Sequence, residues 1–111
     1  MSGLIDREML EEAFGPENAR EILDLFVVNV EETLQKLALA LEAGDNAAGA
    51  AAAHELTGTA ASVGSGELAA CARQLEIMLN ASLDPRAGEV LEHLRQLFGQ
   101  VKQHIDESSS H

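Results

Sequence analysis

The chain has 111 residues and a mass of 11.8 kDa, with 7 Lys+Arg against 19 Asp+Glu for a net charge of -12, 46% hydrophobic residues and 3% aromatics. That is one domain, residues 1–111, and with no Trp, no Tyr and three Phe its core must be built from Leu, Val, Ile, Met and Ala, which suits helix packing better than sandwiches or barrels. The charge repels phosphate backbones and anionic lipid, so nucleic acid and membrane are excluded as partners, and a basic protein surface is favoured.

One cysteine, Cys71, excludes an internal disulfide and multi-cysteine zinc sites. No apolar run approaches the ~18 residues of a membrane span, and the N-terminal MSGLIDREML lacks the basic-then-apolar order of a secretory signal. A cytoplasmic location is expected.

Five helices are predicted. A short first helix starts after Asp6 as N-cap and ends near Gly15, with Met9, Leu10 and Phe14 on one side as its contribution to the core. The second begins at Pro16 and runs to Gly44, with Ile22, Phe26, Val30, Leu34, Leu37 and Leu41 spaced by three or four. Gly44-Asp45 supplies a left-handed residue and then a cap, so a third helix spans about 46–63 before Gly64, Ser65 and Gly66 break it. The fourth carries Leu68, Cys71, Ala72, Leu75 and Leu79, with Cys71 a buried packing residue. Asp84-Pro85 caps a fifth helix presenting Val90, Leu91, Leu94, Leu97, Phe98, Val101 and Ile105, and a frayed tail covers 107–111. The expected fold is all-α: an antiparallel up-down four-helix bundle with the short N-terminal helix as a lid across one end.

The third helix is built from small residues. Gly49, Ala53, Leu56, Ala60 and Val63 form its core face, while His54 points away from it among Ala47, Ala50, Ala51, Gly58 and Ala61. Surface helices normally surround an exposed residue with Glu, Lys, Arg or Gln, and glycine at 58 costs ~1 kcal/mol against alanine without structural return. Close access to His54 is the physical explanation, and a bare imidazole with an unperturbed pKa near ~6.5 is a competent nucleophile. No catalytic triad, HExxH, GxxxxGKS or GxGxxG accompanies it, so a phosphoryl group would have to arrive on another protein. His93, His104 and His111 share no ligand spacing with His54, are expected in solvent, and define no metal site. An incidental surface histidine on an alanine-rich helix is the competing reading.

His54-Glu55-Leu56-Thr57-Gly58, Gly64 ten residues after the histidine, and Leu68, Cys71, Leu75 and Glu76 in GELAACARQLE resemble the histidine phosphotransfer (HPt) pattern HxLKGxxxxxG followed by LxxxCxxLE. The segment EILDLFVVNVEETLQKLALALEAGD is similar to the family's preceding helix. The resemblance implies a phosphorelay carrier, not an enzyme with ATP-binding machinery: His54 accepts a phosphoryl group from a receiver-domain aspartate and passes it to another. Gly58 is then the small residue that admits the receiver, Ala61 and Gly64 hold the following small positions, and Thr57, Ala50 and Ala51 complete the phosphate environment and docking face. The implied partners are receiver domains of a hybrid sensor kinase or of response regulators. The protein needs no cofactor of its own, with Mg²⁺ expected on the receiver, and acts as a monomer. One position departs from the pattern: Thr57 stands where the family carries lysine, leaving a hydroxyl to donate to the phosphoryl group and Lys36 or Arg20 to lend a charge. A receiver-binding adaptor that carries no phosphate, motivated by Thr57, and a bundle that dimerises through its alanine-rich face are the alternatives.

Overall fold

The computed structural model describes residues 5–81 and 86–109, and among them every regular element is a helix: α1 (Arg7–Phe14), α2 (Pro16–Ala43), α3 (Asn46–Ser62), α4 (Gly66–Ala81) and α5 (Ala87–Ser109). Asp6 caps α1 by accepting from the Met9 N–H at 3.0 Å, and Asp45 caps α3 by accepting from the Ala48 N–H at 3.0 Å. The two short hairpins share one device. Asp45 N–H donates to Ala40 O and Gly44 N–H to Leu41 O after α2, and Ser65 N–H to Ala60 O and Gly64 N–H to Ala61 O after α3. Both are Schellman closures, with Gly44 at φ 67° and Gly64 at φ 73° in the left-handed position where a Cβ is disfavoured.

Hairpins this tight make consecutive helices antiparallel. α3 packs against α2 and α4, α4 against α5, and α5 returns to α2, closing a four-helix ring about 43 Å long and 23 by 21 Å across. Where α2 meets α5, the Phe26 and Phe98 rings stack edge to face at 6.4 Å. α1 packs on α2, and Asp6 N–H donates to Val63 O at 2.8 Å, fixing the lid to the corner between α3 and α4. Gly64 has a second reason to be glycine there, because a Cβ would stand 2.5 Å from the Asp6 Cβ.

The core departs from the sequence reading in particular places. Leu10 is buried and is joined by Ile5, but Met9 and Phe14 are 41% and 54% exposed. Eight residues present one narrow stripe inward, and Phe14 sits at the Gly15 turn against Pro16, Glu17 and Asn18, beside the start of α2. On α2 the buried stripe runs through Ala19, Leu23, Phe26, Val30, Thr33, Leu34, Leu37 and Ala40, while Ile22 and Leu41 are half-buried at its edges. Thr33 is tolerated because its hydroxyl donates to Asn29 O at 2.8 Å. Leu91, Leu94, Leu97, Phe98, Val101 and Ile105 of α5 are buried as read, with Val90 packed at the margin. The expected frayed tail is helical as far as Ser109; the Asp84-Pro85 start of α5 and His111 lie outside the described residues. Cys71 is buried near Val90 O, and burial pushes its thiol pKa up, as suits a packing residue rather than a reactive one.

Candidate functional site

α3 approaches its neighbours closely because its inward side is nearly free of side-chain volume. Gly49, Ala52, Ala53, Leu56 and Ala60 are buried, and a Cβ on Gly49 would come within 2.9 Å of Leu79 Cδ1 on α4. On the outward side Ala47, Ala51, His54, Glu55, Gly58 and Ala61 are exposed, and nothing lies within 4 Å of where a Gly58 Cβ would project.

Ala50 is a correction: it is only 6% exposed and belongs to the core. Ala50 and Gly58 lie on opposite sides of His54, each displaced roughly 40° around the helix. The side holding Ala50 is the one that α4 covers, while the Gly58 side is open.

The imidazole of His54 is 77% exposed, but it does not stand alone. Its Nδ1 lies 3.0 Å from Oε2 of Glu76 on α4, a half-buried carboxylate held across the α3–α4 interface. An ionised carboxylate only accepts, so in the neutral imidazole this contact places the proton on Nδ1 and leaves the Nε2 lone pair facing solvent. Glu76 belongs to the LxxxCxxLE pattern, which by itself assigns it no role. Antiparallel helices joined at Gly64 and Ser65 bring together residues equally far from that turn, and His54 and Glu76 are such a pair.

Thr57 also differs from expectation. Its hydroxyl donates to Ala53 O at 2.9 Å and its side chain is half-buried on the α4 side, so its proton is committed to the backbone rather than offered to a phosphoryl group. Of the two cations named for this role, Lys36 stands on α2 with its Nζ 3.7 Å from Glu55 Oε2, one residue from His54. Arg20 is sixteen positions earlier on α2, about 24 Å along the axis from Lys36.

A shallow groove of about 540 Å³ between α2 and α3 adjoins the histidine face, lined by Lys36, Leu39, Ala43, Ala48, Ala51 and Glu55. A larger one, about 670 Å³, lies between α2 and α5 around Glu31, Phe98, Gly99 and Lys102 and includes no α3 residue. Among the described residues no group of three or more His, Cys, Asp or Glu side chains is placed to hold a metal. His93 is exposed, whereas His104, next to buried Ile105, is half-buried and not in open solvent as expected.

An exposed imidazole oriented by one carboxylate on an alanine- and glycine-rich helix face suits a phosphocarrier, and the Hpt domain family profile matches residues 21–104. The chain belongs to the Hpt domain family, whose members carry phosphoryl groups in phosphorelays and interact with receiver domains. It is similar to the crystal structure of histidine-containing phosphotransfer protein B (HptB) from Pseudomonas aeruginosa PAO1, with 27% identity, a TM-score of 0.91 and coverage of 97% of this chain and 96% of that one. The HPT domain of a sensor hybrid histidine kinase from Shewanella shares the fold at 21% identity and a TM-score of 0.70, over 95% and 96% of the two chains. No curated protein sequence gives a significant match. No described helix is long and apolar enough to cross a membrane.

Proposed function

We propose that this protein is a phosphorelay intermediate that accepts a phosphoryl group on His54 from a receiver aspartyl phosphate and returns it to the aspartate of a response regulator. The observation that carries the reading is the exposed imidazole whose Nδ1 is held by Glu76, leaving Nε2 free on a face where Gly58 adds no side chain. In the transfer, the Nε2 lone pair forms the N–P bond as the acyl-phosphate O–P bond breaks, and that electron pair leaves on the receiver's carboxylate. The proton stays on Nδ1, where Glu76 stabilises the positive charge the ring acquires. Ala51, Gly58 and Ala61 let the receiver's active site descend onto the histidine, and the receiver brings Mg²⁺, so this chain supplies nucleophile and docking surface. The protein works as a cytoplasmic monomer, its small-residue face kept for the receiver rather than for a second copy.

The test is incubation with a phosphorylated receiver-containing kinase. Wild type should gain an acid-labile, base-stable phosphoryl group and His54→Gln none, with unchanged melting because the side chain is exposed. Label on His54→Gln would refute the site.

One observation favours a second reading, a receiver-binding adaptor that carries no phosphate. Thr57 replaces the family lysine, and its hydroxyl is already spent on Ala53 O. Receiver binding without label on wild type or on Thr57→Lys would select the adaptor; label on both would remove it.

A further inference from the structure

We infer that Arg73 of α4 is the phosphoryl-binding cation of this protein, taking from across the helix interface the role left vacant at Thr57; the inference rests on the phosphoacceptor reading of His54.

The first ground is the state of the basic side chains. Arg7 is 3.6 Å from Glu11, Lys36 3.7 Å from Glu55, Arg95 3.8 Å from Glu92 and Lys102 3.4 Å from Glu31, and Arg86 is also partnered. Arg20 and Arg73 are the two whose charge meets no partner among the described residues, in a chain with 19 Asp+Glu. Arg20 lies near the start of α2, far along the bundle from the level of His54.

The second ground is register. His54 opposite Glu76 and Gly49 against Leu79 fix how α3 and α4 run past each other. In an antiparallel pair, three residues back on α4 from Glu76 corresponds to three residues forward on α3 from His54, so exposed Arg73 lies at the level of Thr57. It is also Glu76's neighbour at i−3, with their Cβ atoms about 5–6 Å apart. Glu76 is the obvious ion-pair partner for Arg73, yet its Oε2 is turned to the imidazole. The guanidinium is therefore left without an ion pair, on α4 and one helical turn from the carboxylate that holds the imidazole.

The third ground is chemical need. A phosphoryl group on Nε2 adds close to two negative charges beside Glu55 and Glu76. Lys36 is engaged with Glu55 and Thr57 has no charge, so neither compensates the new dianion. A guanidinium offers planar paired donors to phosphate oxygens, and arginine's long side chain can bridge from α4 where a threonine on α3 cannot reach out.

The experiment loads the full chain with phosphoramidate, which needs no receiver: Nε2 forms the bond to phosphorus while the phosphoramidate N–P bond breaks and ammonia leaves. Loading rate and the ³¹P titration of the resulting phosphohistidine are followed for wild type, Arg73→Gln, Arg73→Lys and Lys36→Gln, with helicity checked by circular dichroism. Arg73→Gln should load several-fold more slowly and raise the phosphate titration midpoint by about half a unit, because a nearby cation favours the more charged phosphate. Arg73→Lys should restore part of both, and Lys36→Gln should move rate and midpoint by less than Arg73→Gln does. A folded Arg73→Gln with wild-type rate and midpoint, or the shift appearing in Lys36→Gln instead, overturns the role of Arg73 and leaves His54 standing. Absence of phosphohistidine on wild type itself removes both readings.

Discussion

α3 and α5 occupy opposite corners of the same bundle and solve the problem of an outward face differently. α5 keeps Leu94, Phe98 and Val101 inside and spends its outer face on Glu92, Arg95 and Lys102, side chains that solvate well and pair with one another or with α2. α3 buries Ala53, Leu56 and Ala60 just as completely but leaves Ala47, Ala51, Gly58 and Ala61 to water, with one imidazole among them. Alanine favours helix, so the stability given up lies at Gly58, about 1 kcal/mol against alanine at a position with open space around it, and that deficit marks where a partner must approach.

Substitutions on the two helices should therefore separate stability from transfer. Leu94→Ala removes a fully buried side chain of α5 and should destabilise the fold by about 2–5 kcal/mol, read as an earlier denaturation midpoint, while whatever remains folded still takes label on His54. A small shift in midpoint would mean that α5 is less central to the core than its burial indicates. Gly58→Glu on α3 reverses the pattern. With open space at its Cβ, the new side chain should raise helix stability by about 0.5–1 kcal/mol while weakening receiver transfer by roughly tenfold or more through bulk and charge. Transfer at the wild-type rate would move the docking face elsewhere.

Glu76→Gln is the finest probe, since it keeps the shape at the α3–α4 seam and removes only charge. A neutral acceptor is about half as strong as a charged one, so the Nδ1–H tautomer should lose population in ¹⁵N spectra and transfer should slow by a few-fold, with melting nearly unchanged. Identical ¹⁵N shifts for His54 in both proteins would show that the carboxylate does not set the tautomer.

Features that depend on one helix or one turn were legible in the sequence: the Asp6 and Asp45 caps, the Gly44 and Gly64 closures, the apolar stripes of α2, α4 and α5, and the outward direction of His54. What escaped depends on two helices at once. Ala50 sits at the same angular distance from His54 as Gly58, and only the presence of α4 on one side separates a buried alanine from an exposed glycine. Glu76 becomes a neighbour of the histidine through the register of α3 on α4, which no period within either helix encodes. Thr57 shows a limit of a different sort, because a hydroxyl counted as available from its type is satisfied by the carbonyl one turn back.

The clasp between Asp6 and Val63 bears on where the protein can be cut. The family profile begins at residue 21, inside α2, yet among the described residues the core already includes Ile5, Leu10 and Ala19. A fragment trimmed to the matched segment would keep the histidine and its whole signature, but strip three buried side chains from one end of the bundle and leave the Val63 carbonyl without its donor. It should melt below the intact chain, so the unit that folds cooperatively is wider than the unit by which the family is recognised.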